Sequence, residues 1–152
     1  MTPTLEEQNQ KPRMTRIKEM LHEELSGQII GRAMDVLNEV KPGLDEKLYE
    51  RALVIELHRR VHTVTAQRSY PAFYRSELIG HLLPDLIVDD AVIVDPKVVS
   101  AFNETPVAQV IGYLAISKLD LALLLNFKGA RLEWKRVVRQ DGRESNPPDF
   151  HA

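Results

Sequence analysis

Hydrophobic residues recur at helical spacing in the first half of this 152-residue chain. From Leu25 to Val40 they follow a period close to 3.6, with Ser26 as a possible cap, and Pro42 and Gly43 then stop the pattern. A second amphipathic stretch runs from about Asp45 to Val61. The pattern therefore predicts two consecutive helices that are joined by a tight turn.

Beyond the second helix the pattern changes to short extended segments, which predict three strands. Thr105 followed by Pro106 is typical of the cap and first turn of a third helix, which reaches Lys118. The run Leu121–Phe127 is apolar almost throughout, as in a strand buried on both faces, and Trp134–Val138 predicts an edge strand. This order indicates an α/β fold with a mixed central sheet flanked by helices. The three predicted strands are Val64–Tyr74, Glu77–Val88 and Val92–Val99.

Composition limits the chain to one folded domain. With 43% hydrophobic residues, 152 residues are enough for one core and few for two. Both ends are polar and show no periodicity, so we expect flexible tails over residues 1–18 and 140–152 and a domain over residues 19–139. No internal repeat competes with this division.

Charge and residue content exclude several classes of protein. The net charge is −2, from 20 Lys and Arg against 22 Asp and Glu, which counts against a dedicated nucleic-acid binder. The chain has no cysteine, so a disulfide scaffold and a thiolate zinc site are excluded. There is no apolar run near 18 residues, and the first residues lack the apolar core of a signal peptide. We therefore expect a cytoplasmic protein that has no membrane partner.

The segment PDLIVDDAVIVDPK, residues 84–97, contains the strongest chemical signal in the sequence. It places Asp85 at the start of one apolar run and Asp95 and Lys97 at the end of the next. Two carboxylates and an ammonium group on paired strands can hold a divalent metal beside a phosphodiester. The segment therefore predicts the chemistry of a metal-dependent nuclease.

Whether these groups meet depends on the turn between the two strands. A turn of only two residues, Asp89 and Asp90, would place Asp85 and Asp95 on opposite faces of the sheet. A three-residue loop that includes Ala91, or a bulge, would pair the two carboxylates directly and keep the lysine on their face. We predict the second arrangement, with both loop aspartates as turn residues and not ligands.

Pro96 lies between the second carboxylate and the lysine. Because proline removes a hydrogen-bond donor from a strand that should be interior, we expect a distortion there. Its carbonyl oxygen remains and can ligate a hard cation.

The order of several short motifs resembles the GxxExxY proteins, a bacterial group in the PD-(D/E)xK nuclease superfamily. Gly43–Tyr49, which reads GLDEKLY, carries the pattern for which the group is named. The resemblance extends from about Leu25 to Val138, although the family usually has Glu in place of Asp95 and a residue other than proline in place of Pro96. The other matching positions are Ile29–Gly31, Pro42–Leu44, Asp85, Asp95, Lys97, Gln109, Tyr113, Asn126 and Phe127.

The resemblance implies a restriction-endonuclease-like core and hydrolysis of DNA or RNA. It implies that Asp85 and Asp95 bind Mg²⁺ or Mn²⁺ and that Glu46 is an additional ligand. It further implies that Lys97 orients or deprotonates the attacking water, and that Gln109 is a supporting polar residue of the site. Without the resemblance, Glu46 would be read as an acidic residue favoured in the first turn of a helix.

Some side chains have a simpler structural interpretation. Tyr49 and Tyr113 are expected to pack with satisfied hydroxyl groups, and Gln109 shares a helix face with Tyr113. The five histidines show no metal-ligand spacing.

A basic segment near the end of the chain suggests contact with nucleic acid. Lys128, Arg131 and Lys135, with Arg136 and Arg139, form a strip that can touch phosphates, and a solvated edge is the equal alternative.

Two functions remain open from the sequence. The first is a metal-dependent nuclease, and the alternative is a catalytically decayed nuclease fold that acts as a nucleic-acid-binding or protein-interaction module. Because a chain this short covers little of a duplex, a homodimer is possible.

Overall fold

The fold of this chain is an α/β arrangement of three helices and seven strands, which a computed structural model describes over residues 13–140. The segments 1–12 and 141–152, which make up most of the predicted tails, lie outside the described residues. The helices are α1 (Arg13–Val40), α2 (Glu46–Arg59) and α3 (Glu104–Ser117). The strands are β1 (Val64–Ala66), β2 (Tyr70–Tyr74), β3 (Glu77–Leu82), β4 (Leu86–Val88), β5 (Val92–Lys97), β6 (Leu121–Asn126) and β7 (Glu133–Val138).

Five of these strands form the central sheet, in the order β1-β4-β5-β6-β7. The β5–β6 pair is parallel, with α3 as its crossover, and the other pairs are antiparallel. All six residues of β6 are buried, and β7 lies at an edge. The mixed sheet flanked by helices, the buried strand and the edge strand are all confirmed.

The central sheet has helices on both faces because the residues of β4, β5 and β6 alternate between two apolar clusters. One cluster joins Leu86, Val94 and Leu123 to α1 and α2. The other joins Ile87 and Ile93 to α3. A residue's face is therefore fixed by its parity along the strand.

The prediction of only three strands between residues 64 and 99 was wrong, because two of those segments are interrupted. The first breaks after β1, where Gln67 has a φ of 52°. The second breaks before β4, where the buried Pro84 has no N–H to donate to a ladder. The residues between these breaks form a separate antiparallel hairpin, β2–β3, with a register shift between Ala72 and Phe73.

Two helix starts also differ from the predictions. Helix α1 begins at Arg13, twelve residues before the predicted start, because residues 13–24 are rich in helix-forming residues. It therefore spans the predicted boundary between the tail and the domain, at residues 18 and 19. Ser26 lies inside this helix, where its hydroxyl donates to the carbonyl of Glu23 at 3.0 Å. The cap of α3 is Asn103 and not Thr105, since the Asn103 side chain accepts from the Thr105 N–H at 3.2 Å.

The loop between β4 and β5 has three residues, as the sequence predicted. Val88 pairs with Val92, so Asp89, Asp90 and Ala91 form the turn. Both aspartates have positive φ, at 51° and 53°. The carboxylate of Asp89 accepts the Thr63 N–H at 2.8 Å and lies 2.7 Å from Nδ1 of His62, which fixes the hairpin to the end of α2.

No helix among residues 13–140 combines the length and the apolar character that crossing a bilayer requires.

Candidate active site

The three predicted groups of residues 84–97 lie on the α3 face of the central sheet. Asp85 and Asp95 are the next positions beyond the Leu86–Val94 pair, so the two carboxylates face each other across β4 and β5. Lys97 lies two residues farther along β5 and therefore shares their face. The structure brings these three residues together, in the register that a three-residue loop requires.

Asp95 is almost completely buried, with 1% of its surface exposed. Among the described residues, neither of its carboxylate oxygens takes part in a hydrogen bond. The ammonium group of Lys97 lies 3.2 Å from Oδ1 and forms an ion pair with it. A buried carboxylate without hydrogen-bond donors is costly, so the lysine beside it leaves room for a metal ion or a proton as a further partner.

Burial shifts the ionisation of this cluster. It raises the pKa of Asp95 to about 8, the adjacent carboxyl group of Asp85 adds to the rise, and the positive charge of Lys97 opposes it. For Lys97, burial alone would lower the pKa, but the negative charges of Asp95, Glu46 and Asp85 outweigh it and raise the pKa above its usual value. The lysine is therefore a cation at neutral pH.

Helix α3 supplies a hydrogen-bond chain that holds this lysine. Nζ of Lys97 donates to Oε1 of Gln109 at 3.3 Å, and Nε2 of Gln109 donates to the hydroxyl of Tyr113 at 2.9 Å. Burial raises the pKa of Tyr113, and the nearby Asp95 and Asp85 raise it further. Both helix residues therefore border the carboxylate cluster, in keeping with their shared helix face.

Glu46, the first residue of α2, reaches the site from the other layer. Its Oε1 accepts the backbone N–H of Val98 at 3.1 Å, just past the end of β5. Residues 13–140 contain no group of three or more His, Cys, Asp or Glu side chains that together suit a metal ion. Glu46 thus lies beside the site and does not form a three-carboxylate cluster with Asp85 and Asp95.

Tyr49 fixes the position of the helix that carries Glu46. Its buried ring stacks on Phe127 with a centroid distance of 4.8 Å and an interplanar angle of 11°. Its hydroxyl donates to the Lys41 carbonyl at 2.6 Å and accepts the Leu44 N–H at 3.2 Å. The expected packing role of this tyrosine with a satisfied hydroxyl is confirmed.

Pro96 does not distort β5, so that expectation was wrong. The pairing of β5 with β6 continues through Pro96 and Lys97 without a register shift. The Lys97 carbonyl accepts the Phe127 N–H at 2.9 Å, so the nitrogen and carbonyl of Pro96 point away from β6. On that side β4 pairs only as far as Val94, and no ladder donor is lost.

The basic strip is divided between two places. Lys128 and Arg131 lie in the exposed β6–β7 loop, which follows Asn126, the residue paired with Lys97. These two cations are therefore at the same end of the sheet as the carboxylates. Lys135 lies within β7 and lines a cavity between that strand and α3.

Two residues near the site had no role assigned from the sequence. Asn126 is buried and holds the segment after β5, because its Nδ2 donates to the Val99 carbonyl at 2.8 Å and its Oδ1 accepts the Val99 N–H at 3.1 Å. A polar residue that ends an apolar strand was the available signal. Lys47 pairs with Glu50 at 3.0 Å, and this pairing, with a smaller contribution from Asp85, raises its pKa. Nothing in the sequence pattern distinguishes this lysine.

Comparison with known proteins agrees with the architecture of this site. No curated protein and no solved structure matches the chain. A sequence model of the PD-(D/E)XK nuclease superfamily does match it over residues 23–137, a range that includes every residue of the carboxylate cluster and the helix behind it. Because this range is more than half of the 152 residues, the chain belongs to the PD-(D/E)XK nuclease superfamily.

Proposed function

We propose that this protein is a metal-dependent nuclease that hydrolyses phosphodiester bonds in DNA or RNA. The observation that carries the proposal is the state of Asp95, whose two buried oxygens lack hydrogen-bond partners among the described residues and lie beside Asp85. Structural carboxylates that are buried are normally hydrogen-bonded. Among the described residues the only ion pair of Asp95 is with Lys97, and a carboxylate in this state beside a second carboxyl group suits a further cation.

The residues fit a hard divalent cation such as Mg²⁺ or Mn²⁺. Such ions prefer oxygen ligands and keep several waters, so two carboxylates are sufficient protein ligands. Asp85 and Asp95 would hold the ion directly. Glu46, with one oxygen engaged by Val98, would hold it directly or through a water. When bound, the ion lowers the pKa of a water and stabilises charge on the phosphate.

The chain's own residues would orient the reaction. A water would attack phosphorus in line with the leaving oxygen, so that one P–O bond forms as another breaks. The attacking water would lose a proton to solvent and the leaving oxygen would take one up from solvent, and no covalent enzyme intermediate is needed. Because Lys97 is cationic, we assign it to orienting the water and to countering negative charge on the phosphate, and not to accepting a proton. Gln109 and Tyr113 position the ammonium group through their hydrogen-bond chain.

The substrate contacts and the finer family assignment are part of this proposal. Lys128 and Arg131 would contact phosphates that enter from the loop end of the sheet, and their exposure supports this role. The GLDEKLY motif supports the GxxExxY group, since its Tyr49 fixes the helix that bears Glu46.

The proposal is tested by titrating Mn²⁺ calorimetrically into the full-length protein near neutral pH and low salt. We expect binding to the wild type and its loss in Asp95→Asn. Asp90→Asn is the matched control, because Asp90 is an exposed turn carboxylate paired with Arg68 at 2.9 Å. The same proteins are then assayed with supercoiled plasmid and with labelled single-stranded DNA and RNA.

Lys97→Met separates binding from chemistry in the same assays. We expect it to keep Mn²⁺ binding and to reduce cleavage by about 100-fold or more, since it removes a charge that acts on the phosphate. Wild-type protein that neither binds Mn²⁺ nor cleaves any of these substrates would contradict the proposal. It would favour the alternative of a decayed nuclease fold.

A further inference from the structure

The cavity that Lys135 lines is on the side of α3 that faces away from the carboxylates. It has a volume of about 600 Å³ and lies between α3 and the edge strand β7. The helix residues that line it recur at i, i+4, i+7, i+8 and i+11, which is one helix face, whereas Gln109 and Tyr113 lie on the opposite face. The lining residues here are Val107, Ile111, Leu114 and Ala115 of α3 and Lys118, which caps the end of the helix.

The floor of this cavity is apolar. Leu114 and Val137 are buried, and Ile111 and Val138 line the cavity although they are 52% and 46% exposed. Large aliphatic side chains that keep about half of their surface in water are unfavourable, and covering them with another apolar group is stabilising.

The rim of the cavity is cationic. Lys118, Lys135, Arg136 and Arg139 line it, and no acidic residue among residues 13–140 does so. Arg139 is paired with Asp120 at 3.1 Å. In the part of the chain that the structure describes, the side chains of the other three have no ion pair. The cavity thus presents three uncompensated positive charges above an apolar floor.

We propose that this cavity binds a small anion with an apolar body. The anionic head lies against Lys118, Lys135 and Arg136, and the body lies on Ile111, Leu114 and Val137. A volume of about 600 Å³ is in the range of cavities that enclose small ligands. The three free cations supply the charge complementarity that selects an anion over a neutral apolar molecule.

A second copy of the chain suits this surface poorly. Antiparallel pairing of β7 with itself over residues 133–138 would place Lys135 of one copy directly opposite Arg136 of the other. Like charges at directly opposed positions destabilise a strand pair, and such residues commonly protect sheet edges from association.

The first test compares three probes that divide the chemistry: octyl phosphate, 1-octanol and inorganic phosphate. Each is titrated into the full-length protein, and binding is followed by nuclear magnetic resonance shifts of labelled backbone amides. We expect octyl phosphate to bind at least ten-fold more tightly than either fragment, with shifts in α3 and β7. Inorganic phosphate that binds as tightly as octyl phosphate would overturn the proposal, because the apolar floor would then contribute nothing.

Matched variants locate the binding. Ala115→Trp fills the cavity from an exposed helix position, and Ala108→Trp makes the same change at an exposed position of α3 that does not line it. We expect the first to weaken octyl phosphate at least ten-fold and the second to leave it unchanged. The double variant Lys135→Gln/Arg136→Gln should also weaken it at least ten-fold. Equal binding by the two tryptophan variants would refute the location.

Two further probes identify the source of the ligand. Adenosine monophosphate carries a phosphate head on an aromatic body. If Ala115→Trp weakens the binding of both compounds, the tighter of adenosine monophosphate and octyl phosphate shows whether the cavity prefers an aromatic or an aliphatic body. A short DNA duplex tests the competing occupant. The proposal fails if the duplex loses affinity in Lys135→Gln/Arg136→Gln while neither small phosphate binds to the wild type.

Discussion

At the scale of single residues, Asp95 combines two properties that conflict in the absence of a bound metal ion. It is 1% exposed, yet it lies beside another carboxyl group and receives no hydrogen bond within residues 13–140. The metal-free fold therefore favours the protonated acid, whereas a bound cation favours the carboxylate. A metal ion bound at the proposed site would compete with the proton for the same two oxygens.

This competition predicts how stability and metal affinity change with pH. The pKa of Asp95 is about 8 in the folded chain against an ordinary value of 3.8, so between these values the folded state holds more protons than the unfolded state. Asp95 should therefore lower the free energy of unfolding of the metal-free protein progressively as pH rises from about 4 to about 8. The affinity for Mn²⁺ should rise over the same interval and level off above it.

Thermal unfolding in the presence of a chelator, and Mn²⁺ titrations between pH 5.5 and 8.5, measure the two trends. In Asp95→Asn the pH dependence of stability over this interval should become flatter than in Asp90→Asn. Asp89 does not interfere, because hydrogen bonds from His62 and Thr63 outweigh its burial and lower its pKa, so it titrates below this interval. A pH dependence that is the same in both variants would contradict the assignment.

At the scale of elements, the position of α2 depends on a tyrosine that the sequence motif shares with Glu46. The Tyr49 hydroxyl joins the Lys41 carbonyl and the Leu44 N–H, which belong to the turn between α1 and α2. This places the first residue of α2 where its carboxylate meets Val98. A packing residue thereby sets the location of a candidate site residue.

Tyr49→Phe should therefore affect both stability and the site. The ring stack on Phe127 is kept, but the Lys41 carbonyl loses its donor in a part-buried hydrogen bond, so we expect a destabilisation of about 1 kcal/mol. Mn²⁺ affinity should fall as well, through displacement of Glu46. Denaturant unfolding and calorimetry measure these effects, with Tyr74→Phe, at a position 61% exposed, as the control that should change neither. Unaltered stability in Tyr49→Phe would contradict this role.

Pro96→Ala tests whether the proline impairs the site. Because the ladder loses no donor at this position, we expect a change in stability of less than about 1 kcal/mol and unchanged Mn²⁺ binding. A gain of metal binding or of activity on removing the proline would show that it does obstruct the site. Circular dichroism melts and the same calorimetric titration distinguish these results.

The elements show which structural features a single sequence can reveal. The register of β4 and β5 was predictable, since alternation and turn chemistry together allow few pairings. The separate β2–β3 hairpin was not, because Val64–Tyr74 looks extended throughout and the interruption at Gln67 has no glycine or proline to mark it. The cap of α3 was assigned to Thr105 because Pro106 is common at the first helical position. However, the first N–H groups of a helix have no partner within the helix in any case. Proline is therefore also tolerated at the third helical position, where Pro106 lies.

The carboxylate site was predictable to a similar, limited extent. Asp85, Asp95 and Lys97 follow from strand parity and the loop length. The hydrogen bond from Val98 to Glu46 does not, because it joins residues 52 positions apart and depends on how α2 packs on the sheet. The split of the basic strip likewise arises from the loop after Asn126, which leaves Lys128 and Lys135 on different parts of the molecule.

At the scale of the whole molecule, the β2–β3 hairpin is the surface that suits the homodimer considered from the sequence. Phe73, Tyr74, Leu78 and Ile79 are each more than half exposed at its tip. Arg75, whose guanidinium lies 5.5 Å from the centre of the Tyr74 ring, and Glu77 lie in the same tip. In a two-fold symmetric dimer, Arg75 of one copy can lie opposite Glu77 of the other, so the tip is complementary to itself.

We therefore expect the wild-type protein to dimerise through this tip. The double variant Phe73→Ser/Leu78→Ser should be monomeric in sedimentation experiments over a range of concentrations. Ile55→Ser, at a position of α2 that is 62% exposed, should leave the association unchanged. A monomeric wild type would exclude the dimer, and reduced nucleic-acid binding by the double variant would then assign the tip to the substrate.

The three-residue turn between β4 and β5 also decides where evolution or an engineer can change the length of this chain. One residue added to or removed from Asp89–Ala91 would make the side chains of one strand exchange faces of the sheet. Asp85 would then point into the core beneath α2. The hairpin β2–β3 has no such constraint, because both of its ends meet where the Gln67 N–H donates to the Asp85 carbonyl at 3.1 Å. Foreign segments inserted at its tip should leave Asp85 and Asp95 facing each other, whereas insertions and deletions in the turn should separate the two carboxylates.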